Sequence, residues 1–158
     1  MVDRKPVYDA VIASPLGRLG IEAGRALTSI DFVPARTPLK APRQALARKV
    51  CAQLRAYFND PHYRFRLPLA PVGSPFRQQV WRALRRIPAG RVRRYGELAR
   101  RLGSAARAVG GACRANPIPI IIPCHRVVAA AGLGGFMGAT GGRAMAIKRW
   151  LLEHERTV

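Results

Sequence analysis

Acidic side chains are scarce in this chain of 158 residues, where 8 Asp and Glu stand against 28 Lys and Arg and leave a formal net charge of +20. Such an imbalance makes polyanions the natural partners, with nucleic acid the first expectation. Arginine supplies 24 of the cations, and its planar head suits phosphates and base edges. Residues 1–72 carry 12 basic and 5 acidic side chains, whereas residues 73–158 carry 16 and 3. We therefore expect the polyanion site mainly in the second part.

Cysteine is also sparse, with three residues at positions 51, 113 and 124 and no Cys-x-x-Cys spacing. An odd number without that spacing argues against a disulfide framework and against a cysteine-based zinc site. The sequence therefore predicts no bound metal and at least one free thiol.

Long apolar runs are missing as well. No stretch approaches the ~20 apolar residues of a membrane span, and residues 1–5 lack the apolar core of a signal peptide. No internal repeat is visible either. We expect a cytoplasmic protein that makes no contact with a membrane.

The first half of the chain predicts a small sheet and one helix. Strands are expected at 7–13, 19–23 and 27–33, because turn residues, including Ser14-Pro15-Leu16-Gly17, punctuate partly alternating apolar positions. Apolar residues at helical spacing predict an amphipathic helix over 42–58, with Cys51 in a structural role. Residues 63–69 predict a last strand followed by a linker. We place a domain boundary near residue 72.

The second half predicts mainly helices. One amphipathic helix is expected over 76–87, started by Ser74-Pro75 and ended by Pro88-Ala89-Gly90. Short helices over 95–103 and 105–115, the second with Ser104 as its N-cap, make a helix-turn-helix candidate. Prolines predict a stiff extended segment over 116–123, and six glycines predict a flexible loop over 132–142. A last helix is expected over about 143–155.

The second helix of the predicted pair has almost no side-chain bulk, since residues 105–112 are alanine, glycine and valine apart from Arg107. A helix of this kind brings its backbone close to a narrow surface, such as the DNA minor groove at about 6 Å. Close packing of helices inside the domain explains the same composition equally well.

Cys124 and His125 stand side by side behind Pro123 and between two apolar stretches. Thiolate is the reactive form of cysteine, and a neighbouring imidazole or cation promotes its formation. The pair is therefore a candidate nucleophile and base. For an isolated Cys-His pair, a buried cysteine that packs as a small apolar residue is the more common explanation.

Four segments in order resemble the O6-alkylguanine-DNA alkyltransferases. They are Pro75-Phe76-Arg77-Gln78-Gln79-Val80-Trp81, Ala105-Ala106-Arg107-Ala108-Val109-Gly110, Asn116-Pro117-Ile118-Pro119-Ile120-Ile121-Ile122-Pro123-Cys124-His125-Arg126-Val127 and Trp150-Leu151-Leu152-Glu153-His154-Glu155. The resemblance covers nearly the whole chain and includes the 14–17 turn and Tyr57-Phe58. It implies an α+β fold, with a small N-terminal α/β domain over 1–72 that holds a short antiparallel sheet. A mainly helical domain with the helix-turn-helix follows over 73–158.

The resemblance also implies roles for the reacting residues. Cys124 is expected to accept the alkyl group, and His125 to draw off its proton through a bound water. Glu155 is expected to orient the imidazole, and Tyr95 to donate a proton toward the leaving guanine. For Glu155 the alternative is an exposed carboxylate near a helix C-terminus, where the helix dipole slightly disfavours it.

Further residues are implied to contact DNA or to shape the site. Arg107 is expected to fill the stack in place of a flipped base, with a plain phosphate contact as the alternative. The other expected roles are DNA contact for Arg114, Tyr95 and Ala106, a hinge for Asn116, and pocket walls for Pro119 and Phe136. Phe136 stands where the family commonly has tyrosine. The loop also has a few more residues than the compact loop of the family, in Gly138-Ala139-Thr140-Gly141-Gly142.

The implied function is single-turnover repair of double-stranded DNA that contains O6-alkylguanine, approached through the minor groove. Repair of O4-alkylthymine is left open. We expect a monomer that needs no cofactor, because the product is a stable thioether. The alternatives are a non-catalytic damage sensor, a helix-turn-helix DNA-binding protein without transfer activity, and a cysteine hydrolase.

Overall fold

The structure is a computed structural model that describes residues 7–156, so the outermost ends of the two predicted domains, 1–6 and 157–158, lie outside the described residues. The secondary-structure elements, in chain order, are β1 (Ala10–Ser14), β2 (Gly17–Ala23), β3 (Leu27–Val33), α1 (Ala45–Asn59), α2 (Pro75–Arg85), β4 (Arg93–Arg94), α3 (Tyr95–Arg101), α4 (Ala106–Arg114), a 3₁₀ turn (Cys124–Arg126), β5 (Val127–Val128) and α5 (Gly142–Arg156).

The first three strands form an antiparallel sheet in the order β1-β2-β3, which confirms the predicted sheet. The turn between β1 and β2 forms because the Ser14 hydroxyl donates to the carbonyl of Gly17 at 2.6 Å and accepts from the amide of Leu16 at 3.1 Å. Gly17 has a φ of +91°, a region that glycine enters without steric cost. Because strand side chains alternate between faces, β2 buries Leu19 and Ile21 against α1.

The segment predicted as a last strand, 63–69, is not a strand. It makes one isolated bridge, between Leu27 and Leu69. Its other partner is a side chain, because the amide of Gln53 donates to the carbonyl of Arg66 at 3.1 Å and accepts from its N–H at 2.9 Å. The Gln53 side chain thus satisfies the backbone at Arg66, so the alternation of exposed and partly buried residues arises without a neighbouring strand.

Helix α2 begins where the sequence predicts, because the Ser74 side chain accepts from the amide of Arg77 at 3.3 Å and Pro75 occupies the first turn. Its apolar face is buried and includes Trp81. The indole N–H of Trp81 donates to the carbonyl of Ala112 at 2.9 Å, which ties α2 to α4.

Helices α3 and α4 form the predicted helix-turn-helix pair, but Ser104 is not the N-cap of α4. Its backbone N–H donates to the carbonyl of Ala99 at 2.8 Å, and that of Gly103 donates to Arg100 at 3.3 Å. These two bonds, with a φ of +64° at Gly103, are the Schellman arrangement that closes α3. Ser104 therefore belongs to the end of α3, and Ala105 occupies the capping position of α4 without a side-chain hydrogen bond.

The segment 116–123 is a compact buried turn rather than the extended segment that its prolines predict. The N–H of Ile122 donates to the carbonyl of Ile118 at 2.9 Å, a bond that prolines at 117 and 119 do not prevent. Ile120 has a φ of +76°, an unfavourable conformation for a β-branched residue, and its side chain is buried. The burial of Ile118, Ile120 and Ile122 stabilises this turn against that cost.

A short parallel pair, β4 with β5, brings distant parts of the chain together. Because Tyr95 follows β4 directly and the 3₁₀ turn precedes β5 directly, the pairing sets Tyr95 near Cys124. Helix α5 then packs on that turn.

Buried apolar residues of both halves form one continuous cluster, from Ala10 in β1 to Leu151 in α5. The backbone also crosses between the halves, since the N–H of Ile30 donates to the carbonyl of Pro117 at 3.0 Å. The domain boundary near residue 72 stays a prediction. Within residues 7–156, no helix is long and apolar enough to cross a membrane.

Candidate active site

Cys124 lies at the start of the 3₁₀ turn and lines a cavity of about 570 Å³ between α4 and the glycine-rich loop. The thiol is almost fully buried, with 5% of the residue exposed. The size falls within the range of small-molecule sites, about 300–1,000 Å³. Predicted site residues that share this cavity with Cys124 are Tyr95, Ala106, Arg107, Arg114 and Phe136.

His125 follows in the same turn and is completely buried. Its Nε2 lies 2.8 Å from Oε2 of Glu155, in the last turn of α5, so the structure brings this predicted pair together. Its Nδ1 is buried and makes no hydrogen bond with any residue in 7–156. If Nε2–H donates to the carboxylate, Nδ1 is left as a proton acceptor.

Glu155 is a buried carboxylate, 1% exposed, rather than the exposed group considered as its alternative. Arg126 donates to both of its oxygens, from Nε to Oε1 and from Nη2 to Oε2, each at 2.9 Å. The Tyr57 hydroxyl donates to Oε2 at 2.6 Å. Burial alone raises the pKa of Glu155, but the hydrogen bonds from His125 and Arg126 outweigh it and hold the pKa far below its usual range. The group is therefore ionised at neutral pH.

Burial raises the pKa of the Cys124 thiol, while a hydrogen bond from the Asn116 side chain and the charge of Lys148 act in the opposite direction. The resting thiol is therefore protonated. Burial also lowers the pKa of His125, against the attraction of Glu155, so the imidazole is neutral at neutral pH. A protonated thiol beside a neutral imidazole is the state from which a base can draw off a proton.

Lys148, which the sequence analysis passed over, is the other charged group near the thiol. It is fully buried, and its ammonium donates to the carbonyls of Val127, Leu133 and Gly135 at 2.7, 2.6 and 2.9 Å. Burial lowers its pKa to about 8, so it remains charged at neutral pH. Lys148 thus fixes the wall of the cavity and places a positive charge near Cys124.

Tyr95 lines the same cavity, with its hydroxyl 3.5 Å from the carbonyl of Gly135. Burial, together with the neighbouring Cys113 and Cys124 thiols, raises the pKa of Tyr95 to about 12. It is therefore protonated at neutral pH and can donate a hydrogen bond into the cavity.

Helix α4 forms the outer side of the cavity with its small residues. Arg107 and Ala106 are exposed in its first turn, and Arg114 is exposed at its last residue. The Arg114 guanidinium lies against Gly138, where a Cβ atom would come within 2.7 Å of Nε. Arg107 makes no hydrogen bond or ion pair within the described part of the chain, so its head is free to engage a ligand.

Asn116 joins the end of α4 to the segment that leads to Cys124. Its side-chain amide donates to the carbonyl of Ile122 at 2.8 Å, and its oxygen accepts from the N–H of Ile118 at 3.0 Å. This geometry suits the predicted hinge. Pro119, in contrast, is buried in the turn and does not line the cavity. It lies within the turn that the hydrogen bond from Ile122 to Ile118 closes, and its role as a pocket wall stays a prediction.

Phe136 closes the cavity from the glycine-rich loop. It is buried and lies edge-on to Phe32 of β3, with ring centroids 6.2 Å apart. The backbone groups of Phe136 and Ala139 exchange two hydrogen bonds of 2.9 Å, which form a tight turn. The loop is thus shaped by this turn and by Lys148.

Three further groups of the site have weak sequence signals. Lys148 is a single lysine in the apolar stripe of α5, and Tyr57 looks like one more apolar position of α1. Arg126 lies in one of the segments that resemble the family, but no role is expected for it from the sequence. Each acts through a partner distant in the sequence, so local spacing does not reveal it.

A larger cavity of about 830 Å³ lies along α5, lined in part by Val92, Trp150 and Leu152. Within the described residues, its lining includes the carboxylates Glu153 and Glu155 but no thiol. The predicted nucleophile therefore lies in the cavity at Cys124.

Comparison with known proteins gives a consistent result. Residues 75–157 match the model of the family described as 6-O-methylguanine DNA methyltransferase, DNA binding domain. The methylated-DNA–protein-cysteine methyltransferase of Methanosarcina acetivorans is 39% identical over 160 residues, covering 94% of this chain and 98% of that protein.

Solved structures agree with the sequence relatives. The crystal structure of Mycobacterium tuberculosis O6-methylguanine methyltransferase superposes with a TM-score of 0.77 at 38% identity, covering 93% of this chain and 91% of the other. A structure of Mycobacterium tuberculosis OGT in complex with DNA gives a TM-score of 0.75, also at 38% identity and the same coverage.

Proposed function

The chain belongs to the 6-O-methylguanine DNA methyltransferase family, and we propose that it repairs damaged DNA by moving the methyl group from guanine O6 to the thiol of Cys124. The observation that carries the assignment to this thiol is the position of Cys124 in the cavity beside α4, directly before His125 in the same turn. The Nε2 of His125 in turn lies 2.8 Å from the carboxylate of Glu155.

The first step is the removal of the thiol proton. Nδ1 of His125 has no partner within residues 7–156 and accepts the proton through one bridging water. The ionised Glu155, 2.8 Å from Nε2, fixes the tautomer and stabilises the imidazolium as it forms. The positive charge of Lys148 favours the thiolate.

In the second step the sulfur attacks the methyl carbon. The sulfur–carbon bond forms as the bond between that carbon and O6 breaks, and the electron pair of the broken bond passes to the guanine. Tyr95 donates a proton to the guanine anion. The proton that His125 took from the thiol then passes through water to the Tyr95 phenolate, so that both side chains end neutral. Because the product is a thioether, each molecule acts once, and no cofactor is needed.

Access to the base requires that the nucleotide rotate out of the double helix, which costs a few kcal/mol. Arg107 enters the gap that the base leaves. Its neighbours in the first turn of α4 are small, so it is the side chain there that is long enough to reach the base stack. The low bulk of α4 brings its backbone close to the minor groove, while Arg114 contacts a phosphate. We propose that one monomer binds one duplex.

The apolar wall at Phe136 sets the tolerance of the cavity for the alkyl group. We propose that methyl and other small alkyl groups on guanine O6 react, and that O4-methylthymine is a second substrate of the same thiol. Phe136 lacks the hydroxyl that tyrosine commonly supplies at this position in the family, so we propose that a hydroxyl contact to the substrate is missing here.

The test uses excess duplex with one O6-methylguanine, followed by mass spectrometry of the intact protein and of its peptides. We expect a gain of one methyl per molecule, on the peptide that contains Cys124, with no further reaction. The Cys124→Ser variant should bind the duplex without gaining mass. Cys113→Ser is the matched control, because Cys113 lines the same cavity and its pKa is raised to about 12 by burial.

The alternative functions predict other results than a methyl on Cys124. Binding without a mass gain would favour a damage sensor or a DNA-binding protein without transfer activity. Turnover of ester or peptide substrates without DNA would favour a cysteine hydrolase. Methyl on the peptide of Cys113 instead would mean that the acceptor is misassigned.

A further inference from the structure

Glu155 receives a hydrogen bond from the N-terminal half of the molecule. The Tyr57 hydroxyl, on α1, donates to Oε2 at 2.6 Å across 98 positions of the sequence. Both residues are buried, at 0% and 1% exposure, so water does not compete for this bond. Oε2 therefore has three donors, because His125 and Arg126 lie at 2.8 and 2.9 Å.

Tyr57 is held at both ends by consecutive residues of α5. Its hydroxyl binds Glu155, while its backbone carbonyl lies 2.9 Å from Nε2 of His154. Its ring contacts those of Phe58, Phe65 and His154 at centroid distances of 5.5, 5.6 and 5.2 Å. The position of the hydroxyl is thus fixed by packing on every side.

The three donors at Oε2 differ in what they can do. Arg126 grips both oxygens and supplies the opposite charge, while His125 is the group to be oriented. Tyr57 is neutral, and burial together with Glu155 raises its pKa well above its usual range, so it stays a donor throughout the neutral range. Its hydroxyl holds Oε2 from the N-terminal half of the molecule, which limits rotation of the carboxylate about its two bonds to Arg126.

We propose that Tyr57 is a positioning residue for methyl transfer, and that the N-terminal half in this way contributes directly to the orientation of the base His125. The inference rests on the proposed function, because it concerns the same proton transfer. It assigns to α1 a role in the reaction in addition to packing.

By donating a hydrogen bond, the Tyr57 hydroxyl also offsets part of the negative charge of the Glu155 carboxylate. Without it, more of the charge of Glu155 acts on His125, and the pKa of the imidazole rises. Because methyl transfer requires a neutral imidazole, the low-pH limb of the rate profile then moves to higher pH. The other charged groups that face His125 are Arg126, from its own turn, and Lys148, from α5, and both remain in place.

The experiment compares Tyr57→Phe with Tyr63→Phe. Tyr63 belongs to the same aromatic cluster, with its ring 5.8 Å from that of Phe65, and its hydroxyl makes no hydrogen bond within the described residues. The single-turnover rate of methyl transfer is measured from pH 5.5 to 8.5 at saturating protein. Duplex affinity and the melting temperature are measured in parallel, and rates are taken well below melting.

For Tyr57→Phe we expect a transfer rate lower by roughly tenfold, the scale of one hydrogen bond to a charged group, with unchanged duplex affinity. The low-pH limb should shift upward. Tyr63→Phe should match the wild-type protein in transfer rate, duplex affinity and pH profile. A Tyr57→Phe protein with the wild-type rate and pH profile would overturn the proposal, even if its melting temperature fell.

Two further variants make the test independent of folding losses. Replacing Tyr57 with 3-fluorotyrosine keeps the shape and strengthens the donor, so the limb should shift to lower pH, and an unchanged limb counts against the role. In a Glu155→Gln background, the loss of the Tyr57 hydroxyl should change the rate less than twofold. Equal losses in both backgrounds would mean that Tyr57 does not act through Glu155.

The wild-type arm separates this inference from the proposed function. If the wild-type protein gains no methyl on Cys124, the function itself fails. If it does and Tyr57→Phe reacts equally well, the positioning role alone fails.

Discussion

Lys148→Met removes the buried ammonium that holds three backbone carbonyls together. One of these, Val127 O, is buried, while Leu133 O and Gly135 O are only partly so. Methionine has nearly the same length, so it fills the space without leaving a cavity. The change therefore isolates the loss of the hydrogen bonds and of the charge.

The cost in stability follows from the acceptors that lose their donor. An unpaired buried polar group costs about 1–3 kcal/mol. We take the low end of this range for each of the three carbonyls. The carbonyls of Leu133 and Gly135 can turn toward water, and the variant no longer buries a charged group. The expected loss is about 3 kcal/mol in the free energy of unfolding. For a chain of this length, that corresponds to about 6–12 °C in melting temperature.

The assay is thermal unfolding at pH 7, with Lys49→Met as the matched control. Lys49 is an exposed lysine on α1, and its loss should change the free energy of unfolding by less than about 0.5 kcal/mol. Amide exchange in residues 132–140 should become faster in Lys148→Met. The reaction of Cys124 with iodoacetamide should become slower, because the charge that lowers its pKa is gone. A melting temperature within 2 °C of the wild-type protein would refute the assigned role of Lys148.

Three other predictions test the DNA-binding surface and the buried charges. Arg107→Ala should slow repair of duplex DNA at least tenfold more than reaction with free O6-methylguanine, and equal losses in single-turnover assays would exclude the stack-filling role. Duplex affinity, measured by fluorescence anisotropy, should fall steeply with salt, at about 0.9 log units per log unit for each phosphate contacted, and a flat response would mean that the charge serves another purpose. The native pKa values of His125 and Glu155 both lie below the ordinary 6.5 and 4.5, so the unfolded chain binds more protons and stability should fall below pH 6.5, then again below 4.5. Melting temperatures that stay constant from pH 7.5 to 4 would contradict that assignment.

Much of the fold could be predicted because its signals are local. The turn at 14–17, the start of α2 at Ser74 and the end of α3 at Gly103 depend on residues within a few positions of each other. The same holds for Cys124 and His125, which are adjacent. Their partner Glu155 came from the resemblance and not from spacing, since 30 positions separate it from His125.

The segments 63–69 and 116–123 were wrongly predicted for one physical reason. In both, the backbone finds a hydrogen-bond partner that the residue types in the segment do not reveal. The Gln53 side chain takes the place of a strand beside Arg66, and a single bond between Ile122 and Ile118 folds a segment rich in proline. The prolines in a sequence show which backbone N–H donors are missing, but they do not show where the remaining N–H groups find acceptors.

Lys148 and Tyr57 extend this argument from the backbone to the active site. Each is a polar group at a position where the helix pattern calls for an apolar one, and each is fully buried. A buried donor must have an acceptor, so a lysine or tyrosine in an apolar stripe indicates that a carbonyl or carboxylate lies opposite. The pattern predicts that such an acceptor exists, while only the tertiary structure identifies it as the loop wall for Lys148 and as the carboxylate of Glu155 for Tyr57.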